Sequence, residues 1–416
     1  MDFSELPTWL PSHLYLLILA AACLSCLGWI YLFFFRGGFW RTDIHLDSSN
    51  SGLTPRETEG SDNWPHVRVI IPARNEADIL PHTLPGILRQ DYPGDYEVVL
   101  VNDHSEDGTA ETADRIADEC GGTSRFHLID SDQLPDGWTG KLWAMQQGVA
   151  SGESGDAGPE LLLFTDADIS HPAESLRNLV NKILADDRDL VSLMVLLNVE
   201  SFWERLLIPP FVYFFAKLFP FRWVNDPRRK TAAAAGGCML VRKKALEAAG
   251  GLERIHDRVI DDVAMGRLIK SGGETERIWL GLTRGIVSTR PYESLKEIWD
   301  MVARTAFTQL RHSFLLLLVT FIGMLVLYVG PLACLVAGVW MLGSSVELAL
   351  KVGLPSLAAS VLMAWSFTPM TRWYRLPILY CLTPPFTGFL YTCMTLDSAW
   401  RHWRRSEGQW KGRRYG

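Results

Sequence analysis

The sequence predicts an α/β domain on a mostly parallel sheet, held between transmembrane helices at both ends of the chain. Three observations carry this expectation. Apolar runs of strand length alternate with helical stretches between residues 66 and 312, long uncharged runs flank that region, and acidic loops follow the strands. The chain has 416 residues, a net charge of −7, 48% hydrophobic and 21% charged residues. Such a composition excludes a disordered or collagen-like chain. Seven scattered cysteines without framework spacing exclude a disulfide scaffold. Mild acidity argues against a nucleic-acid binder, which needs a basic stripe to neutralise phosphates.

Residues 14–35 form a run of 22 without a charge. At ~1.5 Å rise per residue such a run spans the roughly 30 Å hydrocarbon core of a bilayer. Asp2 and Glu5 precede it, and Arg36 and Arg41 follow. This pattern fits an uncleaved anchor rather than a signal peptide, with the following segment cytoplasmic. Cys23 and Cys26 lie within the run and read as small residues packing against a neighbouring helix. Three more apolar runs follow, at 313–346, 352–371 and 376–396. The first is too long for one upright span and too short for two. With Gly330-Pro331 in its middle, it is expected to be a tilted or kinked helix plus an interfacial piece.

The tail from Asp397 carries six cations against two acids, which also calls for a cytoplasmic location. Three full C-terminal spans would put it on the other side. One run is therefore expected to be re-entrant, and the Thr383-Pro384-Pro385 break points to the last. The expected organisation is an anchor (1–36), a polar linker (37–65), a globular domain (66–312), a C-terminal transmembrane region (313–396) and a basic cytoplasmic tail (397–416).

Within the globular region, strands are expected at 67–72, 97–101, 126–129 and 161–164, with helices at 107–120, 141–150 and 173–186. Nearly continuous apolar strands imply a sheet covered on both faces. Ligands of such sheets bind beyond the C-terminal strand ends. The first strand ends in Pro72-Ala73-Arg74-Asn75-Glu76, the second in Asn102-Asp103-His104, and the fourth in Thr165-Asp166-Ala167-Asp168. Any one of these could cap a helix, but three acidic loops on one edge point to a site. Asp166 and Asp168, at i and i+2 of an extended segment, are expected side by side. Neighbouring carboxylates repel unless a cation joins them, and a hard divalent ion takes such oxygens together with substrate phosphates.

Asp261-Asp262 opens the helical pattern 263–271, as a cap or as a catalytic base. Gly236-Gly237 feeds a short apolar strand, either as a turn or as a place where backbone approaches a substrate closely. Residues 201–223 are crowded with aromatics, edged by Arg and Lys, and interrupted by Pro209-Pro210. They are expected to lie in the headgroup zone, with a buried core helix as the rival reading.

The ordered set Val69-Ile70-Ile71-Pro72-Ala73-Arg74-Asn75-Glu76, Val101-Asn102-Asp103, Gly137-Trp138-Thr139-Gly140-Lys141, Asp166-x-Asp168, Gly236-Gly237 and Asp261-Asp262-x-x-x-Gly266-Arg267-Leu268 resembles the inverting family 2 glycosyltransferases of the GT-A fold. With the terminal anchors, the chain looks most similar to bacterial hopanoid-biosynthesis-associated glycosyltransferases and to ceramide glucosyltransferases.

The resemblance implies a nucleotide-sugar donor, foremost a UDP-sugar, a lipid acceptor, and Mg²⁺ or Mn²⁺ as cofactor. It places Ala73, Glu76 and Asp103 against the nucleoside and Lys141 near the donor. Asp166 falls at the ribose or metal, and Asp168 becomes the principal metal ligand. Asp262 becomes the general base, with Asp261 its neighbour. Gly236, Gly237, Asp261, Arg311 and His312, with Trp203 of the aromatic segment, fall on the acceptor side. The family's closing motif, Gln or Arg, two residues, then Arg-Trp, is degenerate, because Thr308 and His312 replace its first and last members. This disfavours the alternative of a processive polysaccharide synthase, and the full set of acids disfavours a non-catalytic scaffold. The expected location is the bacterial inner membrane, multi-pass, with the catalytic domain cytoplasmic.

Overall fold

A computed structural model describes residues 11–46, 64–152 and 158–404, together with two backbone strands, Gln409–Trp410 and Arg413–Arg414. Most of the expected linker lies outside the described residues. The chain divides into a helical unit (residues 1–42, 199–220 and 292–406) and a sheet unit (43–198, 221–291 and 407–416).

The strands of the sheet unit are β1 (Val67–Ala73), β2 (Tyr96–Asn102), β3 (Phe126–Asp130), β4 (Leu161–Thr165), β5 (Ile169–Ser170), β6 (Leu190–Leu196), β7 (Cys238–Arg242) and β8 (Ile278–Ser288). They form one sheet in the order β3-β2-β1-β4-β7-β6-β8-β5. The first four in that order pair parallel with one another, as do β6 and β8. β7 is antiparallel to both β4 and β6, and β5 is antiparallel to β8. All of β1 and β4 is buried, as expected of strands covered on both faces.

Along the chain, α1 (Ser12–Phe35) opens the helical unit, and α2 (Leu80–Leu88), α3 (Thr109–Glu119), α4 (Gly140–Ala150) and α5 (Ser175–Ala185) link the strands of the sheet unit. The chain then enters the helical unit as α6 (Phe202–Leu218) and returns through α7 (Phe221–Val224), α8 (Lys243–Ala248) and α9 (Asp261–Gly272). In α5, Leu176, Leu179, Val180 and Ile183 make the apolar stripe that lies on the sheet. The Lys270 ammonium of α9 donates to the carbonyls of Trp223, Val224, Asp226 and Thr231, pinning the incoming loop to that helix.

The helical unit closes with α10 (Leu295–Gln309), α11 (Phe314–Met324), α12 (Gly330–Met341), α13 (Val346–Trp373) and α14 (Pro384–Trp403). A π-type segment, Leu325–Val329, joins α11 to α12. Three described helices are long and apolar enough to cross a membrane: Ser12–Phe35, Phe314–Met341 and Val346–Trp373. Pro331 has no N–H for the Leu327 carbonyl four residues back, and the Trp29 indole donates to that oxygen at 2.6 Å. Where α12 meets α13, a Cβ on Gly338 would lie 3.2 Å from Gly353 Cα, so the glycines allow close backbone approach.

Three expectations about this unit change. The aromatic segment 201–223 is not broken at Pro209-Pro210. α6 runs through both prolines, which are buried, and the Ser201/Glu204 capping box starts it. The segment also divides, with α6 in the helical unit and α7 in the sheet unit. Residues 292–312, which the sequence groups with the globular domain, pack with the helical unit because Ile298, Val302 and Phe307 form an apolar face on α10. The run 376–396 is split between a short 3-10 turn, Ile378–Leu382, and the first part of α14, which continues through Asp397 into the expected tail.

Candidate active site

Strand order reverses between β1 and β4, the position where open α/β sheets hold their ligands. β2, β1 and β4 are parallel neighbours, so their C-terminal loops emerge on one edge. The antiparallel strand β7 begins there, with Cys238 paired to Thr165, which brings Gly236 and Gly237 beside the Asp166 turn. β8 finishes against β5, with Ser288 paired to Ile169, which brings Arg290 beside Asp168.

On the first wall, Ala73 is the buried last residue of β1, and its carbonyl accepts from Asp103 N at 2.8 Å. Asp103 is fully buried. Arg74 donates to its carbonyl at 2.7 Å and lies 3.6 Å from its carboxylate. Asp107, in the same loop, is committed to the start of α3, accepting from Thr109 N at 3.1 Å.

The acidic turn differs from the extended segment expected. β4 ends at Thr165, and Ile169 N closes a turn onto the Asp166 carbonyl at 3.2 Å. The two carboxylates consequently meet different cations. Asp166 accepts from Lys141 Nζ at 2.8 Å, and Asp168 from Arg290 Nε at 3.1 Å and Ser288 Oγ at 3.1 Å. Two buried hydroxyls hold the turn from behind. Thr83 donates to the Ala167 carbonyl at 2.7 Å, and Thr165 donates to the Gly237 carbonyl at 2.9 Å. Burial depresses His171 to a pKa of about 4, so its imidazole is neutral. The neutral ring meets the Thr165 hydroxyl at 2.9 Å through Nε2 and the Ser175 hydroxyl at 3.3 Å through Nδ1.

Lys141, at the start of α4, also bonds Asp261 at 3.0 Å and so joins the first turns of α4 and α9 to the acidic turn. Burial alone would lower this amine, but Asp166 and Asp261 outweigh it and hold the pKa above the usual lysine range. Burial and the nearby charges of Asp168 and Asp261 raise Asp166 against the pull of Lys141.

Asp262 accepts from Gly236 N at 3.2 Å and from Val263 N at 2.6 Å. Burial and the charge of Asp261 push it up to about 7 in spite of Lys141 and those two N–H groups. A Cβ at position 236 would make only ordinary contacts, 3.5 Å from Lys141 Nζ and 3.5 Å from Asp262 Cβ, so Gly236 marks how near this backbone lies to the two charged groups without being required by space. Gly266, one turn on, lets α9 sit against the Ala233–Ala234 backbone, 2.5 Å from where its Cβ would be. A Cβ on Gly237 would press on Val195 and Ile169, which makes this position one of packing.

The structure thus brings Glu76, Asp166, Asp168, Asp261, Asp262, Lys141, Gly236 and Gly237 to one edge of the sheet. Trp203, Arg311 and His312 belong to the helical unit. There Trp203 packs in an apolar cluster, and His312 stacks on His402 with ring centroids 4.2 Å apart. Among the described residues no group of three or more His, Cys, Asp or Glu side chains is arranged to hold a metal. The oxygen-only pair Asp166 and Asp168, in an acid-rich setting, nonetheless suits a hard ion that takes one or two carboxylates and fills its shell with substrate phosphates. Sequence reasoning missed Arg290, His171 and Thr83. Arg290 has no acidic neighbour in sequence to mark it, and only the β8–β5 pairing delivers it.

Residues 68–250 match the profile of the family described as Glycosyl transferase family 2. This segment is a family 2 glycosyltransferase domain. The chain shares 25% identity over 369 residues with the 4,4'-diaponeurosporenoate glycosyltransferase of Staphylococcus aureus (strain USA300), covering 85% of this chain and 89% of that one. Its fold is similar to that of the mannosyltransferase PcManGT from Pyrobaculum calidifontis, solved in complex with GDP-Man and Mn²⁺. That match has a TM-score of 0.52 and 18% identity, covering 94% of this chain and 100% of the other. The mixed sheet with its parallel nucleus is the GT-A fold.

Proposed function

We propose that the protein is a multi-pass membrane glycosyltransferase that moves a sugar, with inversion, from a nucleotide-sugar donor to a hydroxyl of a lipid-like acceptor. The observation that carries this reading is the junction at Lys141, where Asp166 and Asp261 meet one amine while Asp262 faces Gly236.

In this reading Asp262 takes the proton of an acceptor hydroxyl, a task for which a carboxylate near pH 7 is better poised than an ordinary one. The acceptor oxygen bonds to the anomeric carbon as the bond from that carbon to the diphosphate breaks, on the opposite face. Lys141 balances the charge of the departing nucleoside diphosphate, and Ala73, Glu76 and Asp103 line the nucleoside side. Asp166 and Asp168 would hold Mg²⁺ or Mn²⁺, which when bound neutralises the diphosphate leaving group. A base of this kind contributes roughly 10²–10⁴-fold, with positioning and charge balance supplying the rest.

The acceptor class is supported by the three apolar helices in the same chain and by the lipid-like acid for which the Staphylococcus relative is named. A hopanoid is the particular acceptor that the sequence resemblance points to. With three spans and the first entering toward the cytoplasm, the sheet unit and the basic tail share the cytoplasmic side, which reconciles the charge pattern at both ends.

Purified protein incubated with Mg²⁺ or Mn²⁺, radiolabelled UDP- and GDP-sugars and a bacterial lipid extract should transfer label to a single lipid in the organic phase. Label found only in a water-soluble polymer would favour a polysaccharide synthase, and label found only in free sugar would refute transfer to lipid.

A further inference from the structure

Arg290 is a cation at the acidic edge to which the proposed chemistry gives no task. Its guanidinium bonds Glu76 at 2.8 and 3.1 Å and Asp168 at 3.1 Å. The two acids are deep, with side chains 8% and 13% exposed, while Arg290 is 32% exposed. The guanidinium therefore closes the acids from the outer side and can leave without opening a cavity in the core.

Its departure would also spare the backbone. Thr289 N and Oγ1 hold the Asp168 carbonyl at 2.8 and 3.0 Å, and the β5–β8 pairing fixes the same loop. A purely structural ion pair would duplicate these bonds. Asp168 Oδ2 meanwhile already accepts from two donors, Arg290 and Ser288. A divalent ion approaching that oxygen meets a positive charge in direct contact with it.

We propose that Arg290 is a built-in stand-in cation. It occupies Glu76 and Asp168 until the diphosphate of a donor draws it away, and so makes divalent-ion binding depend on the donor. The inference rests on the reading of Asp168 as a metal ligand. Free of substrate, the guanidinium offsets the repulsion between acids that would otherwise face one another uncompensated. When a diphosphate arrives, the same planar fork finds an acceptor whose geometry it matches in two-point contact. The carboxylates are then released as the phosphates that complete an ion's shell become present. The linkage is reciprocal: whatever factor the diphosphate adds to ion affinity, the ion adds to diphosphate affinity.

The test measures Mn²⁺ binding directly, by electron paramagnetic resonance of free Mn²⁺ and by calorimetry. It uses the full-length protein in detergent, with Mn²⁺ alone and with Mn²⁺ plus UDP or GDP. Asp168→Asn should abolish the site. Retained Mn²⁺ binding in that variant would remove Asp168 as a ligand and overturn the metal reading together with this inference. Where Asp168→Asn abolishes binding, Arg290→Met should bind Mn²⁺ alone about ten-fold more tightly than wild type, within the ~5–150-fold range usual for coupled sites. The tightening of Mn²⁺ by nucleoside diphosphate should shrink by a similar factor. Unchanged or weaker Mn²⁺ binding in Arg290→Met would leave the metal site standing and refute the stand-in role. Arg290→Gln, which keeps a polar side chain without the charge, should behave as the methionine variant does and replaces it in the comparison if the methionine variant does not fold.

Discussion

Replacing Asp262 by asparagine keeps the shape of the side chain while removing the charge that the cluster accommodates least well. The carboxyl is pushed from 3.8 to about 7 by burial and by Asp261. At ~1.4 kcal/mol per pH unit this corresponds to at most on the order of 4 kcal/mol. Between pH 4 and 7 the folded protein keeps a proton that the unfolded chain has lost. Stability from this group therefore falls as pH rises through that window and stays low above 7.

Asp262→Asn should accordingly melt higher than wild type at pH 8 and equal to it near pH 4. Thermal melts in detergent with EDTA, which keeps divalent ions away from the neighbouring carboxylates, measure the difference. The same variant should lose roughly 10²–10⁴-fold in transfer rate, while wild-type kcat/KM rises with pH through about 7 as the base ionises. A variant that gains stability and loses turnover has not lost activity by unfolding. A lower melting point at pH 8 would refute the electrostatic argument, and wild-type turnover would remove Asp262 from the base role.

Lys141→Met leaves Asp166 and Asp261 facing without their shared cation. Because the amine is partly exposed, the loss should be on the order of 2–4 kcal/mol, and Asp166→Asn in the same chain should recover part of it in chemical denaturation. Gly266→Ala sets a methyl against the Ala233–Ala234 backbone and should cost ~1–3 kcal/mol in thermal melts, with a fall in kcat as α9 shifts Asp262. Lys270→Met leaves four carbonyls without their ammonium and should destabilise by ~3–5 kcal/mol, seen as rapid proteolysis of the 223–231 loop. Reporter fusions in a bacterial host should read cytoplasmic after residue 42 and after residue 404, and external at residue 344. An external reading after residue 404 would restore the last apolar run as a span.

Local chemistry along the chain was enough to mark the parallel strands, the loops at their ends, the first anchor and the acids that gather on one edge. Each of these depends on side-chain periodicity or on neighbours a few residues apart. The antiparallel half of the sheet was not legible that way. Of β6 to β8 only the short run of β7 is marked in the sequence, and the direction and order of all three follow from long-range pairing, which brings the approach of Gly236 to Asp166 and of Arg290 to Asp168. The acidic turn shows the same limit. The sequence places two aspartates two residues apart, but a turn closed by Ile169 N, with Thr83 on the Ala167 carbonyl, sends them to different cations. Proline misled in α6, where Pro209 and Pro210 are carried within a buried helix. At Pro331 the freed Leu327 carbonyl finds the Trp29 indole from a helix 298 positions away. A backbone group satisfied by a distant partner leaves no trace in the residues beside it, and for that reason tertiary structure alone decided which charges and which orphaned carbonyls meet.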